Sequence, residues 1–206
     1  TVLTNAITDG GSGRYCLASG TFTVSEVIDA INGVTITGQG MEKTIIEASP
    51  TFSPSTTKGI FNQETSDLSD FSLRDLTIKA DYYSTFPTAS GNNANLLGFR
   101  TSTVKAIRLV VDHVRFQDIQ TGVFVENGGE EISVTNSIFL QAEGQVNLYS
   151  NNFLLRNINI IGNFFNQSRD DAILIAGGGT AGSIAQDFNI IGNTGYKGGN
   201  AGAFIK

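Results

Sequence analysis

The sequence predicts an all-β fold: a right-handed, single-stranded parallel β-helix of about six to eight coils behind an N-terminal cap. Three observations support this prediction. Short strand-like segments recur at a near-constant interval, three such segments fall in each interval, and turn residues recur in the same phase. The chain has 206 residues, which is enough for one domain with a sizeable core.

The first series of segments has the apolar–x–apolar pattern of a strand with one face directed inward. Its members end at five equivalent apolar positions, namely Leu73, Val111, Val134, Ile160 and Ile190. The step between the first two contains a stretch rich in Ser, Thr, Asn and Gly, which we interpret as a loop inserted near residues 81–95. Without this loop, the repeat is about 23–30 residues long.

Two further series keep the same phase. The second begins at Gly59, Asn95, Gly122, Gln145, Ala172 and Ala203, and the third is marked by Ile78, Phe116, Phe139 and Phe165. Equivalent residues of stacked coils lie about 4.8 Å apart, so like side chains lie on like. We therefore expect the three phenylalanines of the third series to form an aromatic stack inside the helix.

A column of turn residues follows the first series, and its members are Asp75, His113, Asn136, Gly162 and Gly192. The next position holds Ser137, Asn163 and Asn193. Asn and Gly tolerate the left-handed backbone, and Asn side chains can hydrogen-bond along a stack. We expect His113, the only histidine, to be a structural member of this column.

Other repeat folds fit the sequence less well. The Leu and Asn frame of leucine-rich repeats is absent, and the only stretch with a helical period, residues 25–31, is too short for a helical repeat. An antiparallel sandwich would not explain columns of like residues. We therefore assign residues 1–31 to an N-terminal cap and first strand, and residues 32–206 to the β-helix.

The composition excludes several classes of partner. The net charge is −6 and no basic cluster exists, so we do not expect nucleic acid to bind. No apolar run reaches the about 18–20 residues of a membrane span. Cys16 is the only cysteine, which excludes an intrachain disulfide and a Cys-based metal motif, and we expect an inert, partly buried thiol.

The two ends of the chain also lead to expectations. Because the sequence begins at Thr1, we interpret it as processed or as a fragment. The last predicted strand, residues 203–206, has no polar cap, and an open β-helix end exposes unpaired backbone groups. We therefore expect a second copy of the chain, an assembly partner or missing residues to cover the C-terminal coil.

Several segments resemble the pectin lyase-like β-helix superfamily. Residues 20–25 (GTFTVS) and 33–46 (GVTITGQGMEKTII) are similar to the first coils of its members, and residues 171–175 and 189–193 are similar to later coils. The superfamily includes polysaccharide lyases, polygalacturonases, epimerases, viral tailspikes and adhesins. The resemblance therefore implies an extracellular, cell-surface or virion location, but it does not select one activity.

The resemblance leaves one catalytic candidate, the pair Asp170 and Asp171 beside Arg169. Inverting hydrolysis needs a carboxylic acid and a carboxylate base. The Arg-x-Pro-x-x-Arg motif of pectate lyases is absent, as are the Asn-Thr-Asp, His-Gly and Arg-Ile-Lys segments of polygalacturonases. Calcium needs six to eight oxygen ligands, and no motif supplies them, so we expect no metal and no cofactor. Alternatively, Asp171 only closes a turn.

Alternation in the second series predicts outward-facing residues, first Phe124, Asn147, Leu174 and Phe204, and beyond them Glu126, Tyr149, Ala176 and Lys206. Apolar residues stacked along a surface indicate an interface. This face can pack against copies of the chain, or Tyr149 and neighbouring amides can hold a polysaccharide. A third explanation is that long turns cover the face.

Together these patterns favour a non-catalytic structural or attachment module that is extracellular or virion-associated, oligomeric and glycan-binding. The alternative is a polysaccharide lyase or glycoside hydrolase that uses Asp170 and Asp171, assisted by Arg169 or Lys206.

Overall fold

The computed structural model describes residues 5–6, 9–82, 95–177, 185–196 and 205–206. The named strands pair in parallel between successive coils, which confirms the predicted parallel β-helix. Nearly all of the loop predicted near residues 81–95 lies outside the described residues. In the described ranges, no helix has the length and apolar character that crossing a membrane requires.

Nineteen strands are described. In chain order they are β1 (Gly13–Cys16), β2 (Gly20–Val24), β3 (Ile28–Asp29), β4 (Val34–Thr37), β5 (Thr44–Ala48), β6 (Lys58–Gln63), β7 (Leu68–Ser69), β8 (Ser72–Lys79), β9 (Leu96–Thr101), β10 (Ala106–Ile107), β11 (Val110–Val125), β12 (Gly129–Glu130), β13 (Ser133–Thr135), β14 (Ile138–Ser150), β15 (Leu155–Ile161), β16 (Phe164–Ser168), β17 (Ile173–Gly177), β18 (Ala185–Ile191) and β19 (Thr194–Tyr196).

Each coil has three main faces, and long strands such as β11 bend around a corner to serve more than one of them. The first face stacks β1, β4, β8, β11, β13, β15 and β18. The second stacks β2, β5, β8, β11, β14, β16 and β19. The third stacks β3, β6, β9, β11, β14 and β17. The first face therefore agrees with the predicted six to eight coils.

A fourth, two-residue column connects the third face to the next coil. It contains β7, β10 and β12 together with the first residues of β15 and β18. Sequence reasoning predicted only three segments per coil, because two residues are too few to show a period of two.

The N-terminal segment contains three of the described strands. Strands β1, β2 and β3 pair with β4, β5 and β6, so they form a coil of the helix. Tyr15, Phe22 and Ile28 lie at positions that continue the apolar columns of the following coils. The same alternation leaves Cys16 exposed, and the expectation of a partly buried thiol is wrong.

The predicted registers of the inward columns are confirmed. Val111 pairs with Leu73 and Val134, and Ile160 pairs with Val134 and Ile190. The first four of these residues are fully buried in one continuous core. Burial of such aliphatic side chains contributes about 1.5–3 kcal/mol each, so the repeated column is the main source of stability.

The predicted aromatic stack is also present. Phe139 lies between Phe116 and Phe165, with both centroid distances 5.0 Å and interplanar angles of 14° and 20°. The neighbouring strand passes so close that a Cβ at Gly98 or Gly122 would lie 2.5 Å from a ring carbon of Phe116 or Phe139, respectively. Glycine at these two positions lets the backbone pack directly on the stack.

Left-handed backbone occurs in three turn columns, of which the sequence indicated one. The predicted column has φ angles of 49° to 67°. Two further columns have similar angles. One is made of Asp70, Arg108, Glu131, Asn157 and Asp187, and the other of Asp118, Gln141 and Gln167. These two columns turn the chain at the other corners of the coil.

Asparagine side chains join the coils at the first corner. Asn163 Nδ2 donates to the backbone O of Val134 at 2.8 Å and to Asn193 Oδ1 at 3.0 Å, while its Oδ1 accepts from the backbone N of Ser137 at 2.9 Å. Asn193 repeats this pattern one coil later by donating to the backbone O of Ile160. The predicted ladder therefore satisfies backbone groups that the turn leaves unpaired.

Candidate functional site

The third face presents the outward column that the sequence predicted. Phe124 pairs with Asn147, and Asn147 with Leu174, and all three side chains are half-buried. The Tyr149 ring lies 5.5 Å from the Phe124 ring at an angle of 43°. We call Phe124, Asn147 and Tyr149 the aromatic platform. The remaining predicted member, Phe204, lies outside the described residues.

The last coil has a different register from the one predicted. Ile205 lies opposite Ile173, and the backbone N of Lys206 donates to the Ile173 O at 3.0 Å. Lys206 therefore stacks on Leu174, and the prediction that it follows Ala176 is wrong. A shift of two residues keeps inside and outside unchanged, so the apolar pattern alone cannot detect it.

An ionic cluster borders the platform on the preceding coil. Arg100 is the column neighbour of Phe124, and its guanidinium lies 2.6 Å from Glu64 Oε1 and 2.9 Å from Glu126 Oε2. Only 12% of the Arg100 side chain is exposed. Lys58 contacts the other oxygen of Glu64. Both cations are therefore bound to carboxylates of the chain itself.

The predicted pair Asp170 and Asp171 lies at the start of the strand that carries Leu174, but its two members have different surroundings. Asp170 is exposed, whereas only 2% of Asp171 is exposed. Lys206 Nζ lies 3.6 Å from Asp171 Oδ2. The Asp170 backbone N donates to the Glu143 O at 2.7 Å, which fixes the turn.

Three carboxylates act on Tyr149 of the platform. Burial raises the pKa of Tyr149, and the charges of Asp170, Asp171 and Glu126 raise it further. The aspartate pair therefore lies close enough to Tyr149 for its charges to act on the platform. Sequence reasoning treats the two groups separately, because Tyr149 and the aspartates come from different coils.

A small polar cavity opens in the turn that follows the platform strands. Its volume is about 210 Å³ and its lining consists of Thr103, Glu126, Asn127, Asn151 and Asn152. Asn152 Nδ2 donates to Asn127 Oδ1 at 2.6 Å. The sequence did not identify this site, since polar turn residues carry no periodic signal.

Another cavity, which is acidic and has a volume of about 400 Å³, lies at the corner between the second and third faces. Glu47, Lys79, Asp81 and Asp118 contribute to its wall, and Lys79 Nζ lies 2.7 Å from Glu47 Oε1. Burial raises the pKa of Asp118, and the nearby Asp81 adds to the increase, while Lys79 opposes it. Sequence reasoning missed this group because its members are far apart in the chain.

His113 lies at the corner between the first and second faces, as the turn column predicted. Its Nδ1 lies 2.7 Å from Asp75 Oδ1, its partner in the preceding coil. The ring also lines a cavity of about 390 Å³ with Lys43 and Arg115. Among the described residues, no three His, Cys, Asp or Glu side chains are placed to hold a metal ion.

Comparison with known proteins supports the fold. No protein-family model and no curated protein matches the sequence. Among solved structures, the chain is similar to a Parabacteroides merdae protein assigned by name to the glycosyl hydrolases, with 13% identity, a TM-score of 0.62 and coverage of 100% of this chain and 90% of the other.

Two further structures are similar over less of their own length. One is the A-module of a mannuronan C-5 epimerase from Azotobacter vinelandii, with 14% identity, a TM-score of 0.44 and coverage of 99% of this chain and 67% of the other. The second is an α-1,3-glucanase catalytic unit from Streptomyces thermodiastaticus, with 14% identity, a TM-score of 0.44 and coverage of 98% and 38%.

The strand pairing and the likeness to the Parabacteroides merdae structure define the class of structure. The chain has the right-handed parallel β-helix fold. At this level of identity the likeness concerns the fold alone, so the function has to be argued from the surface.

Proposed function

We propose that this chain is a non-catalytic, glycan-binding attachment module of an extracellular, cell-surface or virion structure. The observation that carries the proposal is the aromatic platform, in which Phe124 and Tyr149 lie 5.5 Å apart on an outward strand face. The flat apolar faces of sugar rings pack on such side chains, and the phenol oxygen of tyrosine can hydrogen-bond to sugar hydroxyls.

The polar cavity beside the platform supports the same function. Its amide and carboxylate side chains offer both donors and acceptors, which sugar hydroxyls require. Its volume of about 210 Å³ is below the range of about 300–1,000 Å³ for pockets that enclose drug-sized ligands. We infer that it holds one sugar unit while the chain of the glycan crosses the platform.

Titration of the protein with a panel of soluble polysaccharides, measured by calorimetry, tests this function. For a polysaccharide that binds, Tyr149→Ala is expected to weaken binding about tenfold, equal to about 1.4 kcal/mol. Tyr149→Phe keeps the ring and is expected to retain most of the affinity. Phe164→Ala is the matched control, because Phe164 is an exposed aromatic residue of the second face.

Two results would contradict the proposal. One is binding by no member of the panel. The other is equal loss of affinity in Tyr149→Ala and Phe164→Ala, which would mean that the platform has no special part in binding.

We also propose that the module acts as a homo-oligomer or within an assembly. Large apolar side chains are exposed on the last described coils, with 60% of Ile191, 68% of Tyr196 and 48% of Ile205 accessible. Large apolar side chains that are exposed on a surface favour contact with another protein surface. A second copy of the chain is the partner we expect.

The second candidate function is a polysaccharide lyase or glycoside hydrolase. The observation that favours it is the contrast between buried Asp171, next to Lys206, and exposed Asp170. Release of unsaturated or reducing ends from a polysaccharide, abolished in Asp170→Ala or Asp171→Ala, would establish this activity. The absence of any release by protein that binds the same polysaccharide would support the attachment module.

A further inference from the structure

We propose that the aromatic platform selects uncharged glycans and that the carboxylates around it exclude acidic ones. This inference rests on the proposed glycan-binding function and specifies the class of ligand for that same site. It follows from how the charges around the platform are paired.

An acidic sugar needs a cation at the site to replace the water that solvates its carboxylate. The described cations that border the platform are already engaged. Arg100 lies between Glu64 and Glu126, Lys58 contacts Glu64, and Lys206 lies 3.6 Å from Asp171. A ligand carboxylate at Arg100 would have to open one of its ion pairs, and a ligand carboxylate at Lys206, whose side chain is 68% exposed, would compete with Asp171 for the ammonium.

Arg100 is the least available of these cations. Its side chain is largely buried, and it makes a third bond to the backbone O of Thr57 at 2.9 Å. Removal of Arg100 from its partners would leave buried charges unpaired, which is costly. The Arg100 guanidinium, the column neighbour of Phe124, is therefore held by groups of the protein and does not bind a ligand carboxylate.

Asp170 provides repulsion. It is exposed, it forms no ion pair in the described part of the chain, and its charge acts on Tyr149 in the platform. The chain as a whole carries a net charge of −6, so the long-range field has the same sign as the local one. A polyanion is thus repelled both at a distance and at contact.

Neutral sugars avoid these costs. Their hydroxyl groups can donate to Glu126 in the polar cavity without displacing Arg100, since a carboxylate accepts several hydrogen bonds at once. The same side chain that repels a carboxylate therefore favours a hydroxyl. Specificity of this kind depends on the repulsive element as much as on the attractive one.

A matched pair of ligands tests the inference. The probes are soluble neutral glucans and the same chains after oxidation of the C6 hydroxymethyl groups to carboxylates. Calorimetry is expected to give at least about tenfold weaker binding of the oxidised chains at low salt, and a smaller difference in 1 M salt, where charges are screened.

A variant pair identifies the residue responsible. Asp170→Asn is expected to narrow the difference between neutral and oxidised glucans by strengthening the binding of the oxidised ones. Asp187→Asn removes the same charge from an exposed turn at another corner and should leave the difference unchanged.

The outcomes separate this inference from the function on which it rests. Equal or tighter binding of oxidised glucans, lost in Tyr149→Ala, would overturn the charge selection and leave the glycan-binding function intact. Binding of neither ligand would contradict both.

Discussion

Asn163 illustrates how one side chain holds neighbouring coils together. It is almost completely buried and bonds to groups of the coils on both sides. Asn163→Ala removes these bonds and leaves buried backbone groups unpaired, which is expected to lower the free energy of unfolding by about 1–3 kcal/mol for each group. Denaturant unfolding monitored by circular dichroism measures this loss.

An asparagine outside the ladder provides the control. Asn189 is half-buried and donates to Asn159 Oδ1 at 3.3 Å. Asn189→Ala is expected to change the free energy of unfolding by less than about 0.5 kcal/mol. Equal losses in the two variants would mean that the ladder has no special structural role.

The lowered pKa of Asp112 makes the stability of the fold depend on pH. Burial alone would raise its pKa, but hydrogen bonds from Thr135 and Asn136 and the nearby Arg74 lower the pKa below its ordinary value of 3.8. The unfolded chain regains the ordinary pKa and therefore takes up this proton first as the pH falls. The stabilisation is fully present above that value and is lost as the pH falls through the folded pKa.

Asp112→Asn is therefore expected to make the free energy of unfolding less dependent on pH as the pH falls below the ordinary carboxyl pKa of 3.8. Urea unfolding at several pH values measures this slope. Asp9→Asn changes the same charge at an exposed position and serves as the control. An unchanged slope in Asp112→Asn would contradict the assignment.

The turn columns show which residues reveal their backbone conformation in the sequence. The column of Asp75, His113 and Asn136 was predicted, because Asn and Gly recur in it. The columns of Arg108 and Gln141 were not, although their φ angles of 53° and 55° are equally left-handed. Arg and Gln have no preference for this backbone, so the stacking of coils imposes it.

The strand that carries Gly122 packs its backbone directly against the aromatic stack. A Cβ at Gly122 would lie 2.5 Å from the Phe139 ring, so Gly122→Ala is expected to destabilise the chain by about 1–3 kcal/mol through overpacking. Phe139→Leu removes the ring. In the Phe139→Leu background, Gly122→Ala is therefore expected to lower the free energy of unfolding by less than in the wild type. A double-mutant cycle of unfolding free energies measures this coupling.

Additive effects of the two substitutions would contradict the contact between the ring and the backbone. Gly177→Ala provides a control, since the nearest atom to its added Cβ, Ser150 Oγ, lies 3.9 Å away. This variant is expected to change the stability little.

At the scale of strands, the sequence was informative where apolar residues repeat. The inward columns and the outward sequence Phe124, Asn147 and Leu174 were correct in register. The position of Lys206 was not, because a shift of two residues leaves the same side chains facing inward. The ionic cluster around Arg100 was also missed, since charged side chains on an outward face have no period that distinguishes them.

The surface proposed to bind glycans and the surface proposed for self-association lie on different faces of the β-helix. The aromatic platform lies on the third face, whereas exposed Ile191 and Tyr196 belong to the last strands of the first and second faces. We predict that the protein is oligomeric, as measured by light scattering over a range of concentrations. Ile191→Lys is expected to lower the mass by introducing an unpaired charge into the apolar contact.

Phe164→Lys tests whether the effect is specific to this surface, since Phe164 is an exposed aromatic residue one coil earlier. A wild-type protein that is monomeric at all concentrations would exclude self-association. An oligomer of unchanged mass in Ile191→Lys would place the contact elsewhere on the cylinder.

A crystal structure of the protein with a neutral oligosaccharide that binds it would test glycan binding at the platform most directly. We expect a sugar ring packed on Phe124 and Tyr149, with a neighbouring unit in the cavity of Glu126 and Asn127. A sugar bound instead in the acidic cavity of Asp81 and Asp118, with the platform empty, would contradict it.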